Sequence, residues 1–150
     1  MKESQLKKKF ISYVYVIKYL IAAVIFTAVN AVEWDCASVT KSGNFTRSSN
    51  CTISGGKHVD VTNTLQVVGS NADMNHLITI TAASGNRHFY ISGENNKLVL
   101  QYVKLAGGNV TGDGGSIYTN GELQLISSIL SDNIAKYSGG GIFGFGKYSN

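Results

Sequence analysis

The side chains that could carry out chemistry in this sequence are few and lie in three short stretches. His58 stands two residues before Asp60, Arg87 directly precedes His88, and Asp113 precedes two glycines. A histidine beside a carboxylate can transfer protons, and a carboxylate in a glycine turn can bind a cation. Either kind of site also needs a further converging group, and none follows from the spacing.

These residues therefore favour non-catalytic roles. Isolated histidine pairs are most often hydrogen-bonded or solvated surface residues, and an aspartate before glycine most often accepts hydrogen bonds from its own turn. The double glycines are no phosphate-binding loop, because no Lys-Ser/Thr and no helix follows them. We predict no catalytic residue, no cofactor and no metal site.

The first 31 residues form a secretory signal. A basic stretch at Lys7-Lys8-Lys9 precedes a long apolar run, and Val29-Asn30-Ala31 is typical of a signal-peptidase site. We predict cleavage after Ala31. An uncleaved membrane anchor is the alternative, although Lys18 inside the apolar run is costly in a bilayer.

The charge of the chain is concentrated in that leader. The whole chain has 13 Lys and Arg residues against 9 Asp and Glu residues. From Val32 onward, the positively and negatively charged residues are equal in number. A neutral mature chain lacks the basic patch that phosphate backbones require, so we predict no nucleic-acid partner. We expect membrane contact only through an uncleaved N-terminal segment.

If the chain is secreted, its cysteines and Asn-x-Ser/Thr sequons predict two covalent modifications. Cys36 and Cys51 are the only 2 cysteines, and in an oxidising compartment they are expected to form a disulfide; two buried free thiols are the alternative. Asn44, Asn50 and Asn109 each begin an Asn-x-Ser/Thr sequon. They are candidate glycosylation sites wherever the host glycosylates.

Internal repetition predicts the fold. Residues 98–122 align without a gap on residues 123–147, with leucine, glycine and isoleucine recurring in the same order. Apolar-x-apolar pairs separated by Gly and Asn turns are typical of short strands with one buried face. A fixed period without a helical pattern indicates an all-β protein, a right-handed parallel β-helix (β-solenoid). A leucine-rich repeat is disfavoured because no helical half-repeat is present.

The repeat also predicts which residues stack. We expect Val59, Ile78, Leu98 and Leu123 in one inward column, and the alternating charges Lys97, Glu122 and Lys147 in one outward column. Asp60 then falls opposite Thr79, and Asp113 aligns with Ser138. No acid pair recurs at the coil spacing, so the columns contain no acid–acid site.

The two repeat units resemble the repeats of polymorphic outer membrane proteins, which alternate a GGA-[ILV] motif with an FxxN motif. The residues that carry the resemblance are Gly114, Gly115, Ile117, Leu130, Asn133, Gly139, Gly140 and Ile142. Ser116 and Gly141 stand where that family has Ala, and Leu130 stands where it has Phe. The resemblance implies a β-helix displayed at a cell surface, often in adhesion; the wider pectin lyase-like fold also includes polysaccharide-degrading enzymes.

These observations divide the chain into a signal peptide or anchor (1–31), a cap segment with the disulfide (32–56) and β-helix coils (57–150) that are expected to continue beyond the last residue. We expect a secreted or cell-surface, non-enzymatic protein that binds glycans or other surface components. The alternative is a carbohydrate-active enzyme of the pectin lyase-like fold, truncated before its active site.

Overall fold

The computed structural model describes residues 32–149, and the predicted signal peptide lies outside the described residues. In this part of the chain every regular element is a β-strand, and none is a helix long and apolar enough to cross a membrane. In chain order the strands are β1 (Val32–Glu33), β2 (Gly43–Arg47), β3 (Cys51–Thr52), β4 (Val59–Val61), β5 (Thr64–Gly69), β6 (Ile78–Thr81), β7 (Phe89–Ile91), β8 (Lys97–Gln101), β9 (Val103–Ala106), β10 (Asn109–Val110), β11 (Ile117–Thr119), β12 (Glu122–Ile126), β13 (Ile129–Ser131), β14 (Ile134–Ala135), β15 (Ile142–Gly144) and β16 (Lys147–Ser149).

The strands form three parallel sheets around a common core. The first sheet has the order β1-β2-β5-β8-β12-β16, the second β3-β6-β9-β13 and the third β4-β7-β11-β15, while β10 and β14 pair separately. The chain visits the first, second and third sheets in turn and then returns to the first, one layer further along. This is a parallel β-solenoid, which confirms the predicted fold class.

The register confirms the repeat in the later coils. Glu122 pairs with Lys97 on one side and with Lys147 on the other, as predicted for the charge column. The Lys97 ammonium lies 2.7 Å from the Glu122 carboxylate. The same pairing places Leu98 beside Leu123.

The predicted columns are wrong in the earlier coils. Leu98 pairs with Leu65, whereas Ile78 pairs with Val103 in the second sheet and Val59 with Phe89 in the third. The earlier coils vary in length: paired residues are 22 positions apart between Phe45 and Val67 and 33 apart between Thr64 and Lys97, against 25 in the later coils. The apolar pairs that looked like successive coils of one sheet therefore belong to three different sheets.

The core is made of inward columns from all three sheets. Alternate strand residues point inward, so Leu65, Leu98 and Leu123 stack at almost zero exposure, as do Val59, Phe89 and Ile117. Each fully buried side chain of this size contributes roughly 1.5–3 kcal/mol. The outward residues between them are left to line the surface.

The segment 32–56 supplies the N-terminal edge strands of the first and second sheets, β1 and β3. Cys36 and Cys51 form the predicted disulfide, with Cα atoms 6.4 Å apart. Trp34 is fully buried and its ring stacks 5.9 Å from that of Phe89. The disulfide therefore fastens a segment whose tryptophan covers the first coil of the core.

The corners of the coil repeat a left-handed backbone conformation. Positive φ recurs at the same phase in successive coils, at Tyr102 and Ser127, at Gly107 and Asp132, and at Gly114 and Gly139. Such φ values are unfavourable for residues other than glycine. Their recurrence shows that the corner geometry belongs to the coil and is imposed on whichever residue occupies it.

Candidate functional site

The outer surface of the third sheet carries a distinctive set of partly exposed side chains. Because Val59, Phe89, Ile117 and Ile142 point inward, the residues that follow them point outward. These are Asp60, Tyr90, Tyr118 and Phe143, paired in register on adjacent strands. We call this surface, together with His58 and Arg87, the aromatic face.

The rings of the aromatic face form a continuous ladder. The His58 ring lies 5.5 Å from Tyr90, Tyr90 stacks 5.0 Å from Tyr118, and Tyr118 lies 5.6 Å from Phe143. Rings at these spacings gain about 0.5–1.5 kcal/mol per pair beyond burial. The stacking covers the faces of the two tyrosine rings, so each presents its edge and hydroxyl to solvent.

Arg87 is the cationic group of this face. Its guanidinium carbon lies 5.5 Å from the Tyr90 ring centre and 5.3 Å from that of Tyr118. Burial lowers the pKa of Arg87, with the two tyrosines and Asp113 opposing that effect, and the group stays cationic. Among residues 32–149, no carboxylate lies within salt-bridge distance of Arg87.

An acidic group lies at the other end of the ladder. A His58 ring nitrogen lies 3.1 Å from one Asp60 oxygen, and the Lys57 ammonium lies 3.6 Å from the other. Asp60 is opposite Tyr90 and not opposite Thr79 as predicted. Its carboxylate therefore interacts with both His58 and Lys57 at the edge of the face.

The predicted chemical residues do not converge on one point. Arg87 points outward, whereas His88 is completely buried, which corrects the expectation of a surface histidine. Asp113 accepts a hydrogen bond from the Ser138 backbone N–H, one coil further on and not in its own turn. Within the described residues, no group of three histidine, cysteine or acidic side chains could hold a metal ion.

His88 has a structural role that the sequence does not reveal. One ring nitrogen lies 3.0 Å from the carbonyl oxygens of both Ile80 and Ala106, and the other lies 3.0 Å from the Ser116 hydroxyl. Burial lowers the pKa of His88 to about 4, so the ring is neutral near pH 7. Ser116, at the position where the resembled motif has Ala, is explained by this contact.

The remaining motif residues bring adjacent coils close together. Asn133 accepts a hydrogen bond from the Gly108 N–H and donates one to the Leu105 carbonyl, so its amide bridges two coils. Gly114 and Gly139 have φ near 67° and 65°, and a Cβ at either would collide with a backbone oxygen. The repeat motif thus serves coil stacking and contributes no group to the aromatic face.

The three sequon asparagines lie at the surface. Asn44 is on β2, Asn109 is on β10 and Asn50 precedes β3; all three are exposed. The Asn50 side-chain oxygen also accepts a hydrogen bond from the Thr79 N–H. Their glycosylation stays a prediction.

Comparisons with known proteins add no family to this description. No family model, no curated protein and no solved structure matches the chain. The resemblance to polymorphic outer membrane protein repeats therefore rests on the motif residues alone, and the structure supports the coarser conclusion of a parallel β-solenoid.

Sequence reasoning missed most of the aromatic face. The alignment of the two repeats relates Tyr118 to Phe143, but Tyr90 lies 28 residues before Tyr118 and outside the 25-residue period. The signal that could have found it is the shared apolar-aromatic-x pattern of Phe89-Tyr90-Ile91 and Ile117-Tyr118-Thr119.

Proposed function

We propose that this protein is a secreted or cell-surface β-solenoid that binds glycans or related surface components, without cleaving them. The observation that carries the proposal is the aromatic face, an outward ladder of rings in which the Arg87 guanidinium lies 5.3–5.5 Å from the centres of two tyrosine rings. Hydroxyl groups and amides of a glycan are matched by the donors and acceptors of these side chains.

Several features favour binding over catalysis. The two acids near the face, Asp60 and Asp113, lie on different coils. Asp60 forms a salt bridge with Lys57, and Asp113 accepts a hydrogen bond from the Ser138 backbone N–H. Hydrolysis of a glycosidic bond generally needs two carboxylates flanking that bond. An extended surface with one arginine and two phenols is better suited to holding a chain of sugars than to breaking it.

The disulfide supports the compartment in this proposal, because such bonds persist in oxidising environments. The proposed cleavage after Ala31 is tested by mass spectrometry of the protein recovered from the culture medium. An N-terminus at or near Val32 is expected, and an intact Met1 in the membrane fraction contradicts it.

Glycan binding is tested with a glycan-array screen of the secreted chain. For a glycan that binds, we expect Arg87→Gln to weaken affinity by about tenfold or more, because a hydrogen bond to a charged group is lost. Lys104→Gln is the matched control, since Lys104 is an outward cation on the second sheet. The Tyr90→Phe/Tyr118→Phe double variant removes both hydroxyls and keeps the ladder.

The control and the outcomes separate the alternatives. Equal binding by the wild type, Arg87→Gln and the double variant shows that the aromatic face is not the site. Release of sugar products that survives repurification, and that is lost on replacing Asp60 or Asp113, contradicts the non-enzymatic proposal.

A further inference from the structure

A groove lies beside the aromatic face, where three successive coils turn from the third sheet into the first. It has a volume of about 460 Å³, within the range of small-ligand sites. Its lining side chains are those of Ser92, Glu94, Asn95, Asn120, Phe145 and Lys147.

The floor of the groove is bare backbone. Gly121 and Gly146 occupy the same phase one coil apart, and a Cβ on Gly146 would collide with the backbone of Gly121. Close stacking of the two turns therefore excludes side chains from the floor. The longer side chains stand along the rim and leave a concave space between them.

Phe145 forms an apolar wall of this groove. Its ring is 82% exposed and lies edge-on to Phe143, at 5.7 Å and 80°. Unlike the stacked rings of Tyr90 and Tyr118, this ring keeps its faces uncovered by the ladder. An uncovered aromatic face can pack against the C–H groups on one side of a pyranose ring.

The polar side chains that line the groove form no hydrogen bonds with other described residues. Asn96 and Lys97, which follow directly, are engaged with the Asn63 N–H and with Glu122. In contrast, the side chains of Ser92, Glu94, Asn95 and Asn120 form no hydrogen bond with other described residues. A hydroxyl, two amides and a carboxylate are thus available around one aromatic wall.

We infer that this groove binds one uncharged hexopyranose unit of a glycan. This inference rests on the proposed function and adds to it a defined site and a sugar class. The pyranose ring packs on Phe145, and its hydroxyls are bound by the amides of Asn95 and Asn120 and by the Glu94 carboxylate. An acidic sugar is disfavoured, because the Glu94 carboxylate opposes it and offsets the single cation, Lys147.

The test is saturation-transfer NMR and titration with the secreted chain. The probes are methyl glycosides of glucose, galactose, mannose and N-acetylglucosamine, with methyl glucuronide as the acidic probe. We expect saturation transfer to at least one uncharged probe and weaker transfer to the glucuronide. Phe145→Ala and Asn95→Ala should each lower the affinity about tenfold, while Tyr137→Ala should change it less than about twofold.

Tyr137→Ala is a matched control because Tyr137 is an aromatic residue that is 70% exposed and does not line the groove. If Phe145→Ala and Asn95→Ala bind the uncharged probes as the wild type does, and Arg87→Gln does not bind them, the groove is not the binding site. The proposed function then remains intact. Absence of binding to every probe and to the glycan array overturns both. Unchanged far-ultraviolet circular dichroism, which reports all the sheets, verifies that each variant is folded.

Discussion

His88 shows how a single buried side chain couples this solenoid to pH. Its ring joins the second and third sheets through two carbonyl oxygens and the Ser116 hydroxyl, and it is neutral in the folded state. The unfolded chain binds a proton at this residue near pH 6.5, whereas the folded chain does so only near pH 4. Acid therefore favours the unfolded state between these two values.

We predict that the free energy of unfolding falls as the pH is lowered from about 6.5 to about 4. The His88 contribution is complete above this window and is lost below it, a total of about 3 kcal/mol from the two pKa values. Denaturant unfolding at a series of pH values measures the slope. His58→Gln, which removes a partly exposed histidine, should retain it.

NMR titration of the imidazole resonances provides a direct check on this prediction. An ordinary His88 pKa in the folded protein, or a flat stability profile across the window, shows that the ring is solvated. The sequence alone offered no such expectation, because a histidine before an apolar-aromatic strand has no pattern that distinguishes a buried position from a surface one.

At the scale of turns and strands, glycines with positive φ differ in how closely other atoms approach them. Gly114 and Gly56 both have positive φ, near 67° and 70°. A Cβ on Gly114 would lie 2.5 Å from the Ile117 carbonyl oxygen, whereas a Cβ on Gly56 would meet nothing within 4 Å. Substitutions at these two positions therefore distinguish the cost of backbone strain alone from the cost of strain together with steric collision.

We expect Gly56→Ala to destabilise the protein by about 1 kcal/mol, the cost of a left-handed alanine. Gly114→Ala should cost roughly 3 kcal/mol or more, because the collision is with the Ile117 backbone and must be relieved by distorting the turn that leads into β11. Urea denaturation of the two variants gives the comparison. Equal losses would mean that the corner at Gly114 adjusts freely.

The charge column offers a second test at this scale. Glu122 lies between Lys97 and Lys147 in register, and replacing it with lysine places three cations on adjacent strands. We expect Glu122→Lys to destabilise more than Glu122→Ala, by about 1 kcal/mol or less, because these side chains are partly exposed. The difference should shrink in high salt, and a salt-independent difference contradicts an electrostatic cause.

The elements also show how far the sequence could predict the fold. The 25-residue repeat correctly relates Leu98 to Leu123 and Glu122 to Lys147, because those coils have equal length. It fails for Val59 and Ile78, since a short apolar pair does not reveal which of three sheets it joins when the intervening turns vary. The aromatic face and the groove were missed for the same reason, as both combine residues from coils of unequal length.

For the whole molecule, the disulfide and Trp34 lie at the N-terminal end of a stack in which each coil contacts mainly its neighbours. In such an assembly, stability is approximately a sum over coils and their interfaces. Loss of a fastening at one end should therefore loosen that end first. Trp34, the only tryptophan, reports on it directly.

We predict that Cys36→Ser/Cys51→Ser lowers the free energy of unfolding by about 3 kcal/mol, the value typical for a loop of this size. Trp34 emission in this variant should change at a lower denaturant concentration than the far-ultraviolet circular dichroism, which reports all sheets. In the wild type the two transitions should coincide. Coincidence in the variant would show that the solenoid unfolds as one unit without the disulfide.

The pairing of each strand with its equivalent one coil away also determines how the chain finds its structure. Partners such as Glu122 and Lys97, or Asn63 and Asn96, are only 25 to 33 residues apart, however many coils are added. The entropy lost in closing each loop is therefore nearly the same from coil to coil. Because each described strand pairs only with its equivalents one coil away, the sheets can assemble progressively from the fastened N-terminal end as the chain emerges.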